Sequence, residues 1–513
     1  VTAQRFADIS EPRPTREGLV ESYRLIASEL DRGERAAAVA EWDQLRRRFD
    51  TWSALVHLRF AQDTTNEAAK ADRDYADALS PEAADLETAL KRRLLADDRV
   101  AVAPLVGEHA LRLWDTDITT FDPIIKPALE EESRISARYT ELLASAKLMI
   151  RGTSVNLAGL GPYAEDPDRS VRHEAEQVRW QFFQDNAAAL DDLYDQLVKL
   201  RHGMARDLGY ATFTPLGYRR LRRVDYGPDE VARYRQQVAA YVVPLVARLL
   251  ESRRAMNGWD RLRFWDEALI DPAGNPKPAG DDDTLVDAAA TMFDGMNPGL
   301  AAFYRMMRDG GFMDVKNRPG KSGGGFCTSF PTHGVPFIFA NFNGTHNDIG
   351  VFTHEMGHAF QNWESRHLPG IDYLWPTYEA AEINSMGLEF LSYPQIGRLV
   401  GDDAADRFRR MHLIGALAFL PYGVCVDHFQ HEVYAHPEAT PAERHAMWAR
   451  LEKIYLPWSD YGDLSFLLKG GRWQAKPHIY GSPFYYIDYT LAQCCALQFW
   501  VWSRRDYAGA MEA

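Results

Sequence analysis

The residues of this sequence best spaced for chemistry are His354, Glu355 and His358, which stand in VFTHEMGHAFQ at 351–361. On a helix, a spacing of four places the two imidazoles about 40° apart and one turn above the other, so both rings reach one ion. With 15 His in 513 residues, chance supplies about 0.4 such pairs, and roughly 0.03 with Glu next to the first. A contrast stands at HEVYAH, where His431 and His436 lie five apart and Pro437 follows. That spacing turns the rings about 140° from each other, so the segment reads as a helix end with surface histidines.

A catalytic zinc takes three protein ligands and keeps one position open, so a third ligand is required. One known continuation puts Gly three and His six residues after the second His, but Gln361 and Glu364 hold those places. The other takes a Glu from a second helix, and WPTYEAAEINSMGLEFL offers Glu379, Glu382 and Glu389. Their spacing of i, i+3 and i+10 puts them on one helix side with Met386. Ile383, Met386, Leu388, Phe390 and Leu391 make this a mostly buried helix, whose carboxylates need partners. A cation with its imidazoles is the natural partner. Spacing leaves open which Glu is the ligand and which accept from imidazole N–H groups. Glu355 projects beside such a metal, where it can take a proton from an activated water and deliver it to a leaving amine. Gly357 inside the helix costs roughly 1 kcal/mol relative to Ala, which implies a close neighbour.

The elements that position these groups are mainly helical. Val20, Tyr23, Ala27 and Leu30 form one apolar stripe, and Leu190, Leu193, Tyr194, Leu197 and Leu200 another. Pro228-Asp229-Glu230 opens a helix expected to run to about residue 256. DPAGNPKPAGDDD, 271–283, reads as a surface loop. Three glycines then precede aromatic-rich runs, and Phe326–Phe330 with Pro336–Phe342 read as a small antiparallel sheet ended by Asn343-Gly344. The expected class is mostly α with one small β element.

The whole chain fits a globular protein with a large core: 46% hydrophobic and 26% charged residues. A formal charge of −15 argues against nucleic-acid or anionic-membrane partners. The basic cluster Arg219, Arg220, Arg222 and Arg223 reads as a solvated helix face or turn, with a hold on a substrate carboxylate as the alternative. Cysteines at 327, 425, 494 and 495 form no CxxC or disulfide framework and fit a reducing compartment. The first twenty residues lack the apolar stretch of a secretory leader, and the expected location is cytoplasmic. His428 and His431 lie three apart on a helix, but nothing nearby completes a second metal site, and the adjacent Cys494 and Cys495 read as small core residues rather than a redox pair.

In their order along the chain, the motifs HEMGHAFQ, EAAEINSMGLEFL, GGGFCTSFP, PFIFANFNG, LAGLGPYAEDPDRSVR and HIYGSPFYYIDYTLAQ resemble the oligoendopeptidase F and thimet oligopeptidase group of zinc metallopeptidases. The resemblance covers roughly residues 150–505. It implies a two-lobed helical metallopeptidase with a deep central channel and a small antiparallel sheet beside the active site. Residues 1–150 would form part of one lobe, and 151–513 the catalytic peptidase domain. His354 and His358 match the zinc histidines, Glu355 the general base, and Glu382, in its AE-x-x-S pattern, the third ligand. Glu379 and Glu389 then become acceptors for imidazole N–H groups. The strand bearing Asn341 and Phe342 is expected to lie along the cleft and pair with an extended peptide. HIYGSPFYYIDY looks like a loop closing over the scissile bond, with His478, Tyr485 and Tyr486 as oxyanion donors and Tyr489 touching substrate.

The resemblance implies one Zn2+ per chain and hydrolysis of internal bonds in short unstructured peptides. Two other functions would use the same motifs: processing of one dedicated precursor peptide, or peptide binding without catalysis. An inactive binder would be expected to lose Glu355 first, and Glu355 is present.

Overall fold

The computed structural model describes residues 4–97 and 99–512. Its N-terminal part is an antiparallel run of long helices, α1 (Arg16–Asp31), α2 (Arg35–Gln62) and α3 (Glu67–Asp97). The buried stripe of α1 is Leu19, Tyr23, Ile26 and Leu30. It is rotated from the expected one, because Val20 is 47% exposed and Ala27 only half-buried. These side chains share a core with Trp42, Trp52 and Trp114. The second expected stripe holds, with Leu190, Leu193, Tyr194 and Leu197 buried in the Ala187–Asp207 helix.

The helix opened by Pro228 continues to Met256, through a π turn at Val238–Val242. Pro244 has no N–H for the ordinary ladder, and the wider turn just ahead of it absorbs the mismatch. The segment from 271 is irregular until Asp281, whose side chain caps the Asp282–Asp294 helix by accepting from the Thr284 N–H at 2.9 Å.

Two sheets occur among the described residues. The first is a hairpin of β1 (Leu148–Ile150) and β2 (Thr153–Val155), unanticipated from sequence. Its turn, Arg151-Gly152, has both φ angles positive, at 48° and 80°, the left-handed pair that lets a two-residue turn follow the strand twist. The second contains β3 (Met313–Lys316), β4 (Phe326–Phe330) and β5 (Val335–Phe342), in the order β3-β5-β4. β4 and β5 pair antiparallel as expected, with Phe326 opposite Phe339. β3 joins β5 in parallel, so the sheet is mixed rather than antiparallel.

This topology corrects the expectation for Asn341 and Phe342. Both lie on the central strand, whose two edges are already occupied, and Phe342 is 3% exposed. The Asn341 amide donates to the carbonyls of Ser322 and Gly324, both at 2.8 Å, and so fastens the glycine segment before β4. The outer edges of the sheet are those of β3 and β4, and it is β4 whose Phe326 and Cys327 line a cavity beside His354.

After β5 come α4 (His346–Ser365), α5 (Tyr378–Leu391), α6 (Asp402–Ala435) and α7 (Tyr486–Ser503), which pack α4 on α5, α5 on α7 and α7 on α6. The start of α4 is fixed by Asp348, whose carboxylate accepts from the N–H groups of Asn343 at 3.0 Å and Gly344 at 2.7 Å. A carboxylate in the first turn also suits the helix dipole. By length and composition α6 could cross a membrane, but 50% of its most apolar window is buried in the protein.

Candidate active site

Helices α4 and α5 touch at backbone distance. A Cβ on Gly357 would stand 2.6 Å from Ser385 Cα and 2.7 Å from the Asn384 carbonyl, which explains a glycine in mid-helix. The contact brings the buried carboxylate of Glu382 between the two histidines. Its Oε2 lies 3.0 Å from His354 Nε2 and 3.3 Å from His358 Nε2. Ligand atoms of His354, His358 and Glu382 all fall within 4.8 Å of one another. Two imidazole nitrogens and a carboxylate oxygen are a donor set that suits zinc, and their mutual spacing fits one ion. Among the described residues no other His, Cys, Asp and Glu group has such spacing. Burial alone would raise the Glu382 pKa, but hydrogen bonds from both imidazoles hold it well below the usual carboxylate range.

Glu355 is 5% exposed, and its Oε2 has no hydrogen-bond partner in the protein. Burial raises its pKa, opposed by the neighbouring histidines. Gly325, the last of the three glycines, lies against it: a Cβ there would stand 3.2 Å from Glu355 Oε1 and 2.9 Å from Val351 Cγ1. The glycine thus leaves the carboxylate its space. Two cavities meet here, of about 550 Å³ and 370 Å³, and both are lined by Gly325, His354, Glu355, His478 and Tyr489. Phe326 and Cys327 of β4 line the larger one. Met386, Met411 and Phe419 make much of the smaller one apolar.

The C-terminal segment supplies hydroxyl and imidazole groups. Tyr485 Oη donates to Glu382 Oε1. Tyr489 Oη lies 3.2 Å from His478 Nε2, and its ring centroid 6.3 Å from that of His354. Burial and the Lys476 charge pull the His478 pKa down to about 3, so the ring is neutral near pH 7. Burial also raises the Tyr485 and Tyr489 phenols, which stay protonated and able to donate. Tyr486 differs from its neighbours. It is 6% exposed, packs against Phe419, Tyr422 and Lys476, and borders only the smaller cavity. Tyr485 and Tyr489, four apart with centroids 5.0 Å from each other, are the pair beside the ligands.

Of the other two glutamates, Glu389 reaches an imidazole and Glu379 does not. His354 Nδ1–H donates to Glu389 Oε1 at 2.8 Å, which leaves Nε2 for a metal. Glu379 sits in the first turn of α5, where its Oε1 accepts from the Thr377 hydroxyl at 2.7 Å. Its Oε2 is buried without a partner, as is Nδ1 of His358. Sequence reasoning missed His412 of α6, which donates from Nε2 to Glu389 Oε2 at 2.7 Å. No local motif marks it. Only a lone His in an apolar helix could have drawn notice.

The arginine cluster is a solvated face only in part: Arg219 and Arg220 are exposed, whereas Arg223 is buried. Arg223 is buried against Asp488 at 2.9 Å, Arg222 pairs with Asp117 at 2.8 Å, and Arg220 with Glu132 at 2.8 Å. Arg220 and Arg222 line the larger cavity. His431 is not a surface residue, since its Nε2 lies 3.0 Å from Tyr218 Oη and its ring packs on Phe484. His436 is exposed at the end of α6 as expected. All four cysteines are free thiols.

The chain is similar to known proteins over nearly its whole length. Residues 6–121 match the peptidase M3 N-terminal domain, and residues 301–510 match peptidase family M3. A crystal structure of a protein assigned as an oligoendopeptidase F shares 43% identity at a TM-score of 0.97, over 99% of this chain and 91% of that one. PZ peptidase A, solved with an inhibitor, shares 40% identity at a TM-score of 0.97, over 99% of this chain and 91% of that one. A protein from Bacillus anthracis str. Ames, also assigned as an oligoendopeptidase F, shares 38% identity at a TM-score of 0.92, over 100% of this chain and 91% of that one. No curated protein sequence matches. With both family domains in order and such likeness over nearly its whole length, the chain belongs to peptidase family M3 and is a metallopeptidase of the oligoendopeptidase F type.

Proposed function

We propose that the protein is a zinc-dependent oligoendopeptidase that hydrolyses internal bonds of short, unstructured peptides, with Glu355 as general base. The observation that carries this reading is the place of Glu355: a buried carboxylate with a free oxygen, beside the His354/His358/Glu382 donor set, where two cavities meet. A chain lying through both cavities would extend to either side of Glu355, which is the requirement for cutting an internal bond.

Lewis-acid chemistry is what a zinc ion held by His354, His358 and Glu382 supplies: it polarises a carbonyl and lowers the pKa of a water. The remaining work falls to the chain. The outer edge of β4 offers main-chain hydrogen bonds to an extended peptide and so orients the carbonyl. Glu355 accepts the proton of the attacking water at Oε2 and passes it to the nitrogen of the leaving amine. Tyr485, Tyr489 and neutral His478 donate hydrogen bonds to the developing oxyanion. Cavities of about 550 Å³ and 370 Å³ suit a few residues of an extended chain rather than a folded protein. Four free thiols support a reducing, cytoplasmic location.

The test combines metal content with cleavage. The purified protein should carry one zinc per chain and cut internally quenched peptides while leaving folded proteins intact. Glu355→Gln should keep the zinc and lose about 10²–10⁴-fold in kcat. Full activity in that variant would refute the mechanism. A peptide panel cleaved at one sequence alone would favour a dedicated processing role.

A further inference from the structure

We infer that His412 is a positioning residue for the metal centre, acting through Glu389 on His354, and that Tyr393 holds it in that role. The inference rests on the metal-site reading above and extends it to residues outside the ligand set.

The arrangement is a continuous chain of hydrogen bonds from α4 through α5 to α6. Glu389 Oε1 accepts from His354 Nδ1–H at 2.8 Å, and its Oε2 accepts from His412 Nε2–H at 2.7 Å. A carboxylate only accepts, so each imidazole presents an N–H to it. The other ring nitrogen, Nδ1, lies 2.8 Å from Tyr393 Oη, which also lies 3.3 Å from the Arg409 carbonyl. Tyr393 thus holds the ring at its second nitrogen and keeps Nε2 turned to Glu389. The ring is clamped as well: Phe408 stacks on it at 5.9 Å and Phe390 meets its edge at 5.1 Å.

The physical consequence follows from Glu389 being held at both oxygens. Its side chain has several rotamers, and with one oxygen free it could swing away from His354. The His412 bond removes that freedom, so the imidazole of His354 keeps Nε2 aimed at Glu382 and the ion site. Both His412 and Glu389 are 14% exposed, which makes the bonds stronger than they would be in open water.

A double-mutant cycle read by zinc affinity, not activity, tests this. Zinc dissociation constants are measured by competition with a chromophoric chelator for the full-length wild type, His412→Phe, Glu389→Gln and the double variant. His412→Phe keeps a ring between Phe408 and Phe390 but loses the donor, and its zinc should be held about 10-fold more weakly. In the Glu389→Gln background the same change should add less than about twofold, because the partner through which it acts is altered. His412→Gln, which can place an amide N–H near the Nε2 position, should recover most of the affinity. If His412→Phe fails to fold, Tyr393→Phe provides the second arm, and it should weaken zinc in the same direction. Wild-type affinity in His412→Phe, or an equal loss in both backgrounds, would overturn the inference while leaving the metal site intact. A wild type that holds no zinc would overturn both.

Discussion

Gly357 lets α4 approach the α5 backbone at Ser385, where a Cβ would stand 2.6 Å from Ser385 Cα, and the distance between the two histidines and Glu382 depends on that contact. A methyl group on Gly357 would press on the backbone of both Ser385 and Asn384 at under 3 Å, where no rotamer change gives relief. Gly357→Ala gains about 1 kcal/mol of helix propensity. The overpacking cost, about 1–3 kcal/mol or more, outweighs that gain because both contacts are with main chain. The expected outcome is a lower Tm together with weaker zinc binding. A variant with raised Tm and unchanged zinc affinity would mean that the helix contact is not what sets the site.

Gly325 tests the base separately from the ligands. Its missing Cβ would stand against Glu355 Oε1 and Val351, away from His358 and Glu382. Gly325→Ala should therefore lower kcat by about tenfold or more while zinc content and Tm stay near wild type, since misplacement of a reacting group is costly. Equal losses of zinc and of turnover would show that the strain spreads into the ligand set.

The three tyrosines should rank in an order that the sequence does not give. Tyr485 bonds Glu382 and Tyr489 bonds His478, whereas Tyr486 packs among Phe419, Tyr422 and Lys476. Loss of one oxyanion donor typically costs 10²–10³ in kcat, so Tyr485→Phe and Tyr489→Phe should each approach a roughly 10²-fold loss. Tyr486→Phe should stay within about threefold of wild type on kcat, on the same scale. Steady-state kinetics on one quenched peptide decides the order.

How much of this was legible in the sequence depends on the range of the interaction. The two histidines were readable because a four-residue spacing on one helix is local geometry, and the buried Glu-bearing helix was marked by its apolar neighbours, but the choice of Glu382 among its three carboxylates came only from the family resemblance. The strands β4 and β5 were readable from their aromatic runs. β3 was not, because four residues, MDVK, carry too little alternation. The role of Asn341 was misread for a related reason: whether a strand is central or at an edge depends on a partner that joins from far along the chain. His412 bonds across to another helix, and the arginines 220, 222 and 223 find carboxylates between 88 and 265 residues away in sequence. Such pairings have no signature in local composition.

Glu132 gives the pH prediction. It is buried between Arg201 at 2.6 Å and Arg220 at 2.8 Å. Burial raises its pKa, but the two guanidinium groups dominate and bring it from 4.5 to about 2. Because the folded-state value is depressed, the carboxylate contributes stability that is fully present above the unfolded pKa. It is lost as pH falls from about 4.5 towards 2, an amount on the order of 3 kcal/mol. Glu132→Gln removes the charge and leaves Arg201 buried with only Tyr434 and the Tyr480 carbonyl as partners, so it should be destabilised at pH 7 by about 3 kcal/mol. Below pH 4.5 the wild type loses the same contribution, and the two Tm curves should converge as the pH is lowered in steps from 7 to 3. Curves that stay parallel across that range would show that Glu132 titrates alike in the folded and unfolded chains, and that the paired arginines do not hold it ionised.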